Sequence, residues 1–229
     1  MLKLSKTENL SQKTKRTEEI AKILLKIYPE RKKTVLTYGS PWECLVAVQL
    51  SAQCTDKRVN MVTPDLFKKY KKVEDYAAAG RTADGVLEFE KMIHSTGFYH
   101  NKTKNILAAA GKIVNEFGGK VPSTMEELLT LPGVARKTAN VLLFNAFGIV
   151  GGIAVDTHVI RLSNLLALVS KKAGKDAVKI ERELLEIVPK KYWGTFPLLL
   201  TEHGRQICIA NRPKCELCKF NHLCPSSRV

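Results

Sequence analysis

The strongest pattern along the chain is the helical spacing of its apolar residues. In Glu19–Ile27 the apolar side chains fall on one stripe, and Pro29 ends the pattern. Ser40 and Pro41 suit the start of a second helix, and the run Cys44–Leu50 that follows is apolar on all sides. A helix of that kind is buried on every face. The pattern therefore predicts an amphipathic helix followed by a helix inside a core.

The same spacing continues through the rest of the chain. Further helices are predicted at Asn105–Phe117, at a short segment that Ser123 or Thr124 caps and that ends near Thr130, and at Arg136–Phe147, Thr157–Leu168, Asp176–Val188 and Phe196–Ile207. Strand-like alternation is limited to the short run Gly152–Val155. We therefore expect an all-α fold of about ten helices joined by short loops, with a crossing between lobes at Gly148–Gly152.

Charge narrows the possible partners of this helical protein. The 229 residues carry a formal net charge of +15, and the sequence pI is about 9.6. Such a balance favours a polyanion as partner, of which nucleic acid is the commonest, although a solvated lysine-rich surface without a partner is the alternative. The positive residues are spread along the chain, which favours a charged face on a folded body over a basic arm.

No segment is typical of secretion or of a membrane span. Residues 1–19 are polar with mixed charge and contain no apolar signal-peptide core, and the longest apolar runs, such as Val141–Phe144, are far too short to cross a bilayer. We therefore expect a soluble cytoplasmic protein without a membrane partner, whose six cysteines do not form disulfides.

Four cysteines lie close together near the C-terminus in the spacing Cys-x6-Cys-x2-Cys-x5-Cys, at Cys208, Cys215, Cys218 and Cys224. In a reducing compartment such a group is typical of metal ligands, and four thiolates can hold either zinc or a [4Fe–4S] cluster. The spacing alone leaves both open. Pro213 and Pro225 interrupt any helical stripe, so these cysteines are not expected in a core. Cys44 and Cys54, by contrast, are predicted to be small core residues.

A second group of interest is the segment Leu131–Asn140, with the sequence LPGVARKTAN. Pro132 ends one helix, Gly133 permits a tight turn, and the N–H groups of residues 133–137 then lie at the positive end of the next helix. Such a turn can bind a backbone phosphate. Lys137 lies in the first turn, where the helix dipole favours the neutral amine that a nucleophilic lysine needs. The alternative is a surface lysine that contacts phosphate.

Asp156 is the third candidate. It follows an apolar run and precedes the helix predicted from Thr157, so it is expected to be an N-cap, and an N-cap aspartate can also face a cleft. His158 and Arg161 are interpreted mainly as structural residues or phosphate contacts.

These three features occur in one order along the chain: LPGV-x-RKTAN at 131–140, VDTH at 155–158, and the cysteine spacing. Together with LSAQ-x-TD at 50–56 and GFY-x-x-K at 97–102, they closely resemble the endonuclease III branch of the helix-hairpin-helix DNA glycosylases. The resemblance extends from about Lys22 to Cys224.

The resemblance implies two α-helical lobes with DNA bound between them. Residues 36–149 would form the domain with the helix-hairpin-helix motif, and residues 1–35 with 150–229 would form a domain carrying a [4Fe–4S] cluster. The cluster, not zinc, would then be bound by the four C-terminal cysteines. The substrate would be duplex DNA with an oxidised pyrimidine or an abasic site, and we expect a monomer.

The resemblance also implies roles for individual residues. Lys137 would attack C1′ of the flipped nucleotide, displace the base and cleave the strand by β-elimination, with Asp156 either stabilising positive charge on the sugar or handling the lysine proton. Gln53 would fill the vacated space and Phe98 would wedge the base stack. The DNA backbone would be contacted by the hairpin residues Gly133, Ala135, Arg136 and Lys137.

The sequence departs from the family pattern at two of these positions. Ala135 stands where a second hairpin glycine is usual, which would cost roughly 1 kcal/mol or more if that position needs a positive φ. Phe98 stands where leucine is common, and residues 80–90 show no family feature. Two rival functions are a non-catalytic DNA-binding module with zinc and a monofunctional glycosylase in which Lys137 binds only phosphate.

Overall fold

Helices make up most of the residues that the computed structural model describes, which are 8–31 and 33–229, and no strand occurs among them. In chain order the helices are α1 (Leu10–Ile27), α2 (Pro41–Leu50), α3 (Asp56–Lys69), α4 (Val73–Ala79), α5 (Ala83–Ile93), α6 (Tyr99–Phe117), α7 (Met125–Leu128), α8 (Arg136–Phe147), α9 (Thr157–Leu165), α10 (Ala177–Ile187) and α11 (Phe196–Gln206). The predicted all-α class is confirmed. None of these helices is long and apolar enough to cross a membrane, within the described ranges.

The chain divides into two units, each with its own hydrophobic core. Residues 35–151 form the central unit, and residues 1–34 with 152–229 form the terminal unit. The sequence predicted a central domain from residue 36 to residue 149, and the central unit of the structure runs from residue 35 to residue 151. Residues 1–7 and Lys32, which belong to the predicted cluster domain, lie outside the described residues.

The central unit is organised around α2. Ser40 caps this helix by accepting the N–H of Glu43 at 3.2 Å, and Pro41 occupies its first turn. All residues of α2 except Pro41 and Glu43 are buried, so the prediction of a core helix is confirmed. Helix α8 packs against α2, and α6 packs against α4 and α5. The last turn of α2 is therefore buried in the core of the central unit.

The terminal unit combines the two ends of the chain. Helix α1 packs against α10 and α11, and α9 packs against α11. After α11 the chain contains no further α-helix, and residues 208–229, all of which the structure describes, form two 3₁₀ turns at Cys215–Leu217 and Asn221–Leu223. Phe220 is the one residue of this segment that is buried. The C-terminal segment therefore has very little core of its own.

The structure differs from the sequence-based expectations at several helix bounds. Helix α1 begins at Leu10, not near Glu19, because Asn9 and Gln12 form a reciprocal capping box. Helix α9 ends at Leu165, three positions before the expected Leu168, and Ala167 then adopts a φ of +49°. Helices α3, α4 and α5 were not expected. Pro64, inside α3, interrupts the sequence signal for that helix.

Candidate functional site

The hairpin lies in the central unit between α7 and α8. Gly133 has a φ of +75°, and a Cβ atom added there would lie 2.8 Å from Cβ of Asn105, so both the backbone conformation and the packing require glycine. The N–H of Val134 donates to the carbonyl of Leu131 at 3.1 Å, which closes the turn. This N–H is therefore not available to bind phosphate. The sequence had predicted that the N–H groups of all residues from 133 to 137 are available.

Ala135 is the N-cap residue of α8. Its φ is −96° and its ψ is 169°, which is ordinary extended backbone, so alanine carries no conformational penalty there. Ala135 therefore carries none of the backbone strain that a positive φ at this position would have caused. The side chain of Ala135 makes no capping hydrogen bond to α8, and the N-terminus of a helix is suited to an anion.

A pair of substitutions tests this difference between the two hairpin positions. Gly133→Ala is expected to destabilise the protein by about 1–2 kcal/mol or more, because a side chain there meets both a left-handed backbone and Asn105. Ala135→Gly is expected to stay within about 0.5 kcal/mol of the original protein, since glycine is an acceptable N-cap. Urea unfolding of both variants measures the difference. Equal losses in the two variants would contradict this account.

Lys137 is exposed in the first turn of α8, two residues after the N-cap. Its neighbour Arg136 is exposed at the start of the same turn. Below the turn, the buried side chain of Gln49 donates from Nε2 to the carbonyl of Pro132 at 3.1 Å. This hydrogen bond joins the last turn of α2 to the hairpin. The hairpin that carries Lys137 is thus anchored to the most buried helix of the central unit.

Asp156 lies in the terminal unit, where it is the N-cap of α9 as expected. Its Oδ1 accepts the N–H of Val159 at 2.8 Å, and its Oδ2 accepts the hydroxyl of Thr201 at 3.0 Å. Both oxygens act as hydrogen-bond acceptors, one within α9 and one toward a second helix, so the carboxylate is held in one orientation. The sequence offered no signal for Thr201, which belongs to α11 and lies far from Asp156 along the chain.

His158 and Arg161 have structural contacts, in agreement with their interpretation. Burial lowers the pKa of His158, and its Nδ1 lies 3.3 Å from Nη2 of Arg161. Arg161 donates from Nη1 to the carbonyl of Cys208 at 3.0 Å and from Nη2 to that of Gly204 at 3.2 Å. Helix α9 is thereby joined to the start of the C-terminal segment.

The four C-terminal cysteines of the terminal unit line one cavity of about 190 Å³. All four are partly buried, free thiols, and burial raises the pKa of Cys218 to about 11 and those of Cys208 and Cys224 above the ordinary value. The buried ring of His203 lies beside them, with Nε2 at 3.5 Å from Sγ of Cys218. Within the described ranges, no three side chains of the His, Cys, Asp or Glu type are arranged to hold a single metal ion.

The other two cysteines are separate from this cavity and lie in the central unit. Cys44 is buried in the core, where burial raises its pKa to about 12, and Cys54 is partly buried against that core. The prediction of a core residue is confirmed for Cys44, whereas Cys54 packs against the core without being buried in it.

Gln53 and Phe98 are both exposed on loops of the central unit. Gln53 follows the end of α2 with a φ of +53°, and Phe98 precedes α6 with a φ of +50° and an exposed fraction of 63%. A non-glycine residue rarely adopts a positive φ, and such residues cluster at functional sites. The sequence did not indicate either conformation.

Comparison with known proteins identifies the family of this chain. The model of the HhH-GPD superfamily base excision DNA repair proteins matches residues 46–190. The chain is 50% identical to endonuclease III of Synechocystis sp. over 96% of both chains, and 44% identical to that of Bacillus subtilis over 82% of this chain and 83% of the relative.

Solved structures agree with the sequence relatives. A structure described as a trapped covalent intermediate of endonuclease III with DNA superimposes with a TM-score of 0.84 at 37% identity, over 93% of this chain and 96% of that one. A thermostable thymine-DNA glycosylase superimposes with a TM-score of 0.77 at 26% identity, over 93% and 97% of the two chains. The chain belongs to the endonuclease III family of the HhH-GPD base excision DNA repair superfamily.

Proposed function

We propose that this protein is a DNA glycosylase with AP lyase activity that removes oxidised pyrimidines from duplex DNA and cuts the strand 3′ to the abasic site. The observation that carries the proposal is the exposed amine of Lys137, directly after the hairpin turn in a chain of this family. A solved relative is described as a trapped covalent enzyme–DNA intermediate. A lysine amine is a nucleophile that can form such a bond with a sugar carbon.

The reaction begins with extrusion of the damaged nucleotide, since C1′ cannot be reached inside the duplex. The lone pair on Nζ of Lys137 attacks C1′, the glycosidic bond breaks, and its electron pair leaves with the base, which takes up a proton. Loss of a proton from the lysine nitrogen and opening of the sugar ring give a Schiff base. Removal of a C2′ proton then forms the C2′–C3′ double bond and expels the 3′ phosphate. Water hydrolyses the Schiff base and restores Lys137.

Asp156 serves this reaction as a negative charge. Its two oxygens accept hydrogen bonds from Val159 and Thr201, which fixes the orientation of the carboxylate. Asp156 would then either stabilise positive charge on the sugar or accept the lysine proton. Thr201 orients the carboxylate through this hydrogen bond.

Thr201→Val is expected to slow the reaction about tenfold, because a hydrogen bond to a charged group contributes roughly 1.5–3 kcal/mol and the orientation of Asp156 depends on it. The measurement is the single-turnover rate of strand cleavage at an abasic site. Thr201→Ser keeps the hydroxyl and should retain most of the rate. A valine variant as fast as the serine variant would show that Thr201 has no such role.

DNA binding would combine phosphate contacts with insertion into the stack. The first turn of α8, with Gly133, Ala135, Arg136 and Lys137, is suited to a backbone phosphate. Gln53 would fill the space of the extruded nucleotide and Phe98 would wedge the neighbouring bases. The two units would be the two DNA-binding domains, and we expect the chain to act as a monomer on DNA in the cytoplasm.

The four cysteines of the terminal unit would hold a [4Fe–4S] cluster. A cavity of about 190 Å³ is far larger than a single ion needs, since one water-sized probe occupies only about 10–15 Å³. When bound, the cluster would supply iron–thiolate bonds that cross-link the segment 208–224. That segment needs such cross-links, because Phe220 is its one buried residue and each ordered residue costs about 1–2 kcal/mol of conformational entropy.

Incubation with two duplexes tests the proposed activity. A duplex with one thymine glycol should lose the base and be cut at that position, with an unsaturated aldehyde at the 3′ end, whereas an undamaged duplex should stay intact. Base release without strand cleavage would favour a monofunctional glycosylase. Binding without base release would favour a DNA-binding module.

A further inference from the structure

Two strained backbone positions in the central unit carry the residues that would enter the DNA. In the described residues, positive φ angles at non-glycine positions occur at Gln53, Phe98 and Ala167. Two of these three are the proposed inserting residues, and both lie on loops that are exposed to solvent. Such conformations persist only where the surrounding structure holds them in place.

One buried side chain contacts both loops. Lys102 is 6% exposed in the first turns of α6, and its Nζ donates to the carbonyl of Leu50 at 2.7 Å and to that of Thr96 at 2.9 Å. Leu50 is the last residue of α2, immediately before the loop with Gln53. Thr96 ends the 3₁₀ turn His94–Thr96, immediately before Gly97 and Phe98.

The backbone of Lys102 adds a third contact, because its N–H donates to the carbonyl of Phe98 at 3.1 Å. The same residue therefore binds both sides of the Gly97–Phe98 turn as well as the end of α2. The nearby bond from Gln49 to Pro132 joins that helix end to the hairpin. The three segments proposed to touch DNA are thus connected at the last turn of α2.

An ammonium in this position is costly. Among the described residues, the side-chain hydrogen bonds of Lys102 go to two carbonyl oxygens and not to a carboxylate, and burial lowers its pKa. Burying a charge without an opposite charge is unfavourable unless its hydrogen bonds compensate. An aliphatic side chain of the same length would fill the space without that cost, so packing alone does not account for a lysine here.

We propose that Lys102 is a positioning residue for base extrusion: its ammonium holds the loops of Gln53 and Phe98 at a fixed separation, so that both side chains enter the base stack together. The inference rests on the proposed function, because it takes the inserting roles of these two residues from it. Without the ammonium, the carbonyls of Leu50 and Thr96 lose their partner, and both loops can leave their left-handed conformations. Insertion would then require reordering of the loops during each turnover.

Lys102→Met tests the proposal, with Lys104→Met as the matched control, because Lys104 is exposed two residues further along the same helix. Two substrates separate extrusion from chemistry. The first is a duplex with one thymine glycol and 2-aminopurine beside it, which reports both extrusion and cleavage. The second is a single-stranded oligonucleotide with an abasic site, where borohydride trapping of the covalent adduct needs no extrusion from a duplex.

For Lys102→Met we expect extrusion and cleavage of the duplex to slow roughly tenfold to a hundredfold, while the trapping rate on the single strand stays near that of the original protein. Lys104→Met should match the original protein in both assays. If Lys102→Met does not fold, Lys102→Gln, which keeps an N–H donor without the charge, replaces it in both assays. Equal losses on the two substrates, or no loss on the duplex, would overturn the positioning role. Failure of the original protein to form any adduct would instead overturn the proposed function.

Discussion

Lys137→Gln is expected to abolish the covalent adduct that the original protein forms with abasic DNA in the presence of borohydride. An amide nitrogen is not a nucleophile, so no Schiff base can form and no reducible intermediate accumulates. Strand cleavage should disappear with the adduct, since β-elimination depends on the acidity that the Schiff base gives to the C2′ proton. The measurement is the shifted protein–DNA band on a denaturing gel.

Binding should survive this substitution even though the chemistry is lost. Lys137 is exposed, and surface substitutions usually change stability by no more than about 0.5 kcal/mol. The affinity for a duplex with an uncleavable abasic analogue should therefore fall only a few-fold, through the loss of one positive charge. Lys68→Gln removes one exposed positive charge from α3 of the same unit and should leave the adduct unchanged. An undiminished adduct in Lys137→Gln would assign the reaction to another amine.

Cys218→Ala is expected to remove the iron–sulfur cluster and to unfold the C-terminal segment. With Phe220 as its one buried residue, the fully described segment 208–229 has no core that could replace the iron–thiolate bonds. Structural zinc contributes on the order of 10 kcal/mol to the folding of small domains, and loss of a cluster that cross-links this segment should likewise lower the melting temperature of the terminal unit well below that of the original protein. Visible absorption, iron and sulfide content, and thermal unfolding measure the three consequences.

Cys54→Ala is the matched control for that experiment. Cys54 is partly buried like the four proposed ligands, but it lies in the central unit against another core. Its alanine variant should keep the brown colour and the iron content of the original protein. A colourless original protein with one bound zinc ion would contradict the cluster and favour the zinc alternative, which the cysteine spacing by itself leaves open.

Local patterns were sufficient for the parts of the fold that depend on neighbouring residues. The run Cys44–Leu50 correctly predicted a core helix, and Gly133 correctly predicted a tight turn. The same patterns were insufficient for α1, in which Leu10 is followed by the polar residues 11–19, and for α3, which contains Pro64. In both helices, capping and packing compensate for a weak local signal.

The chemistry of the candidate site follows from residue types that the sequence already contains: an amine at Lys137, a carboxylate at Asp156 and four thiols at uneven spacing. These types and their order predicted the family, because each reaction or metal needs a particular functional group. The spacing of the cysteines, however, did not show that all four line one cavity of the terminal unit.

Only the tertiary structure decided which side chains hold the reacting groups and loops in place. Thr201 reaches Asp156 from another helix, and Lys102 joins two loops that are distant in sequence. Hydrogen bonds between remote segments leave no periodicity or spacing in the sequence, because their partners are set by how helices pack. The sequence does not distinguish Lys102 from Lys104, because both are lysines on one predicted helix. Packing of that helix against a core buries Lys102 and leaves Lys104 exposed.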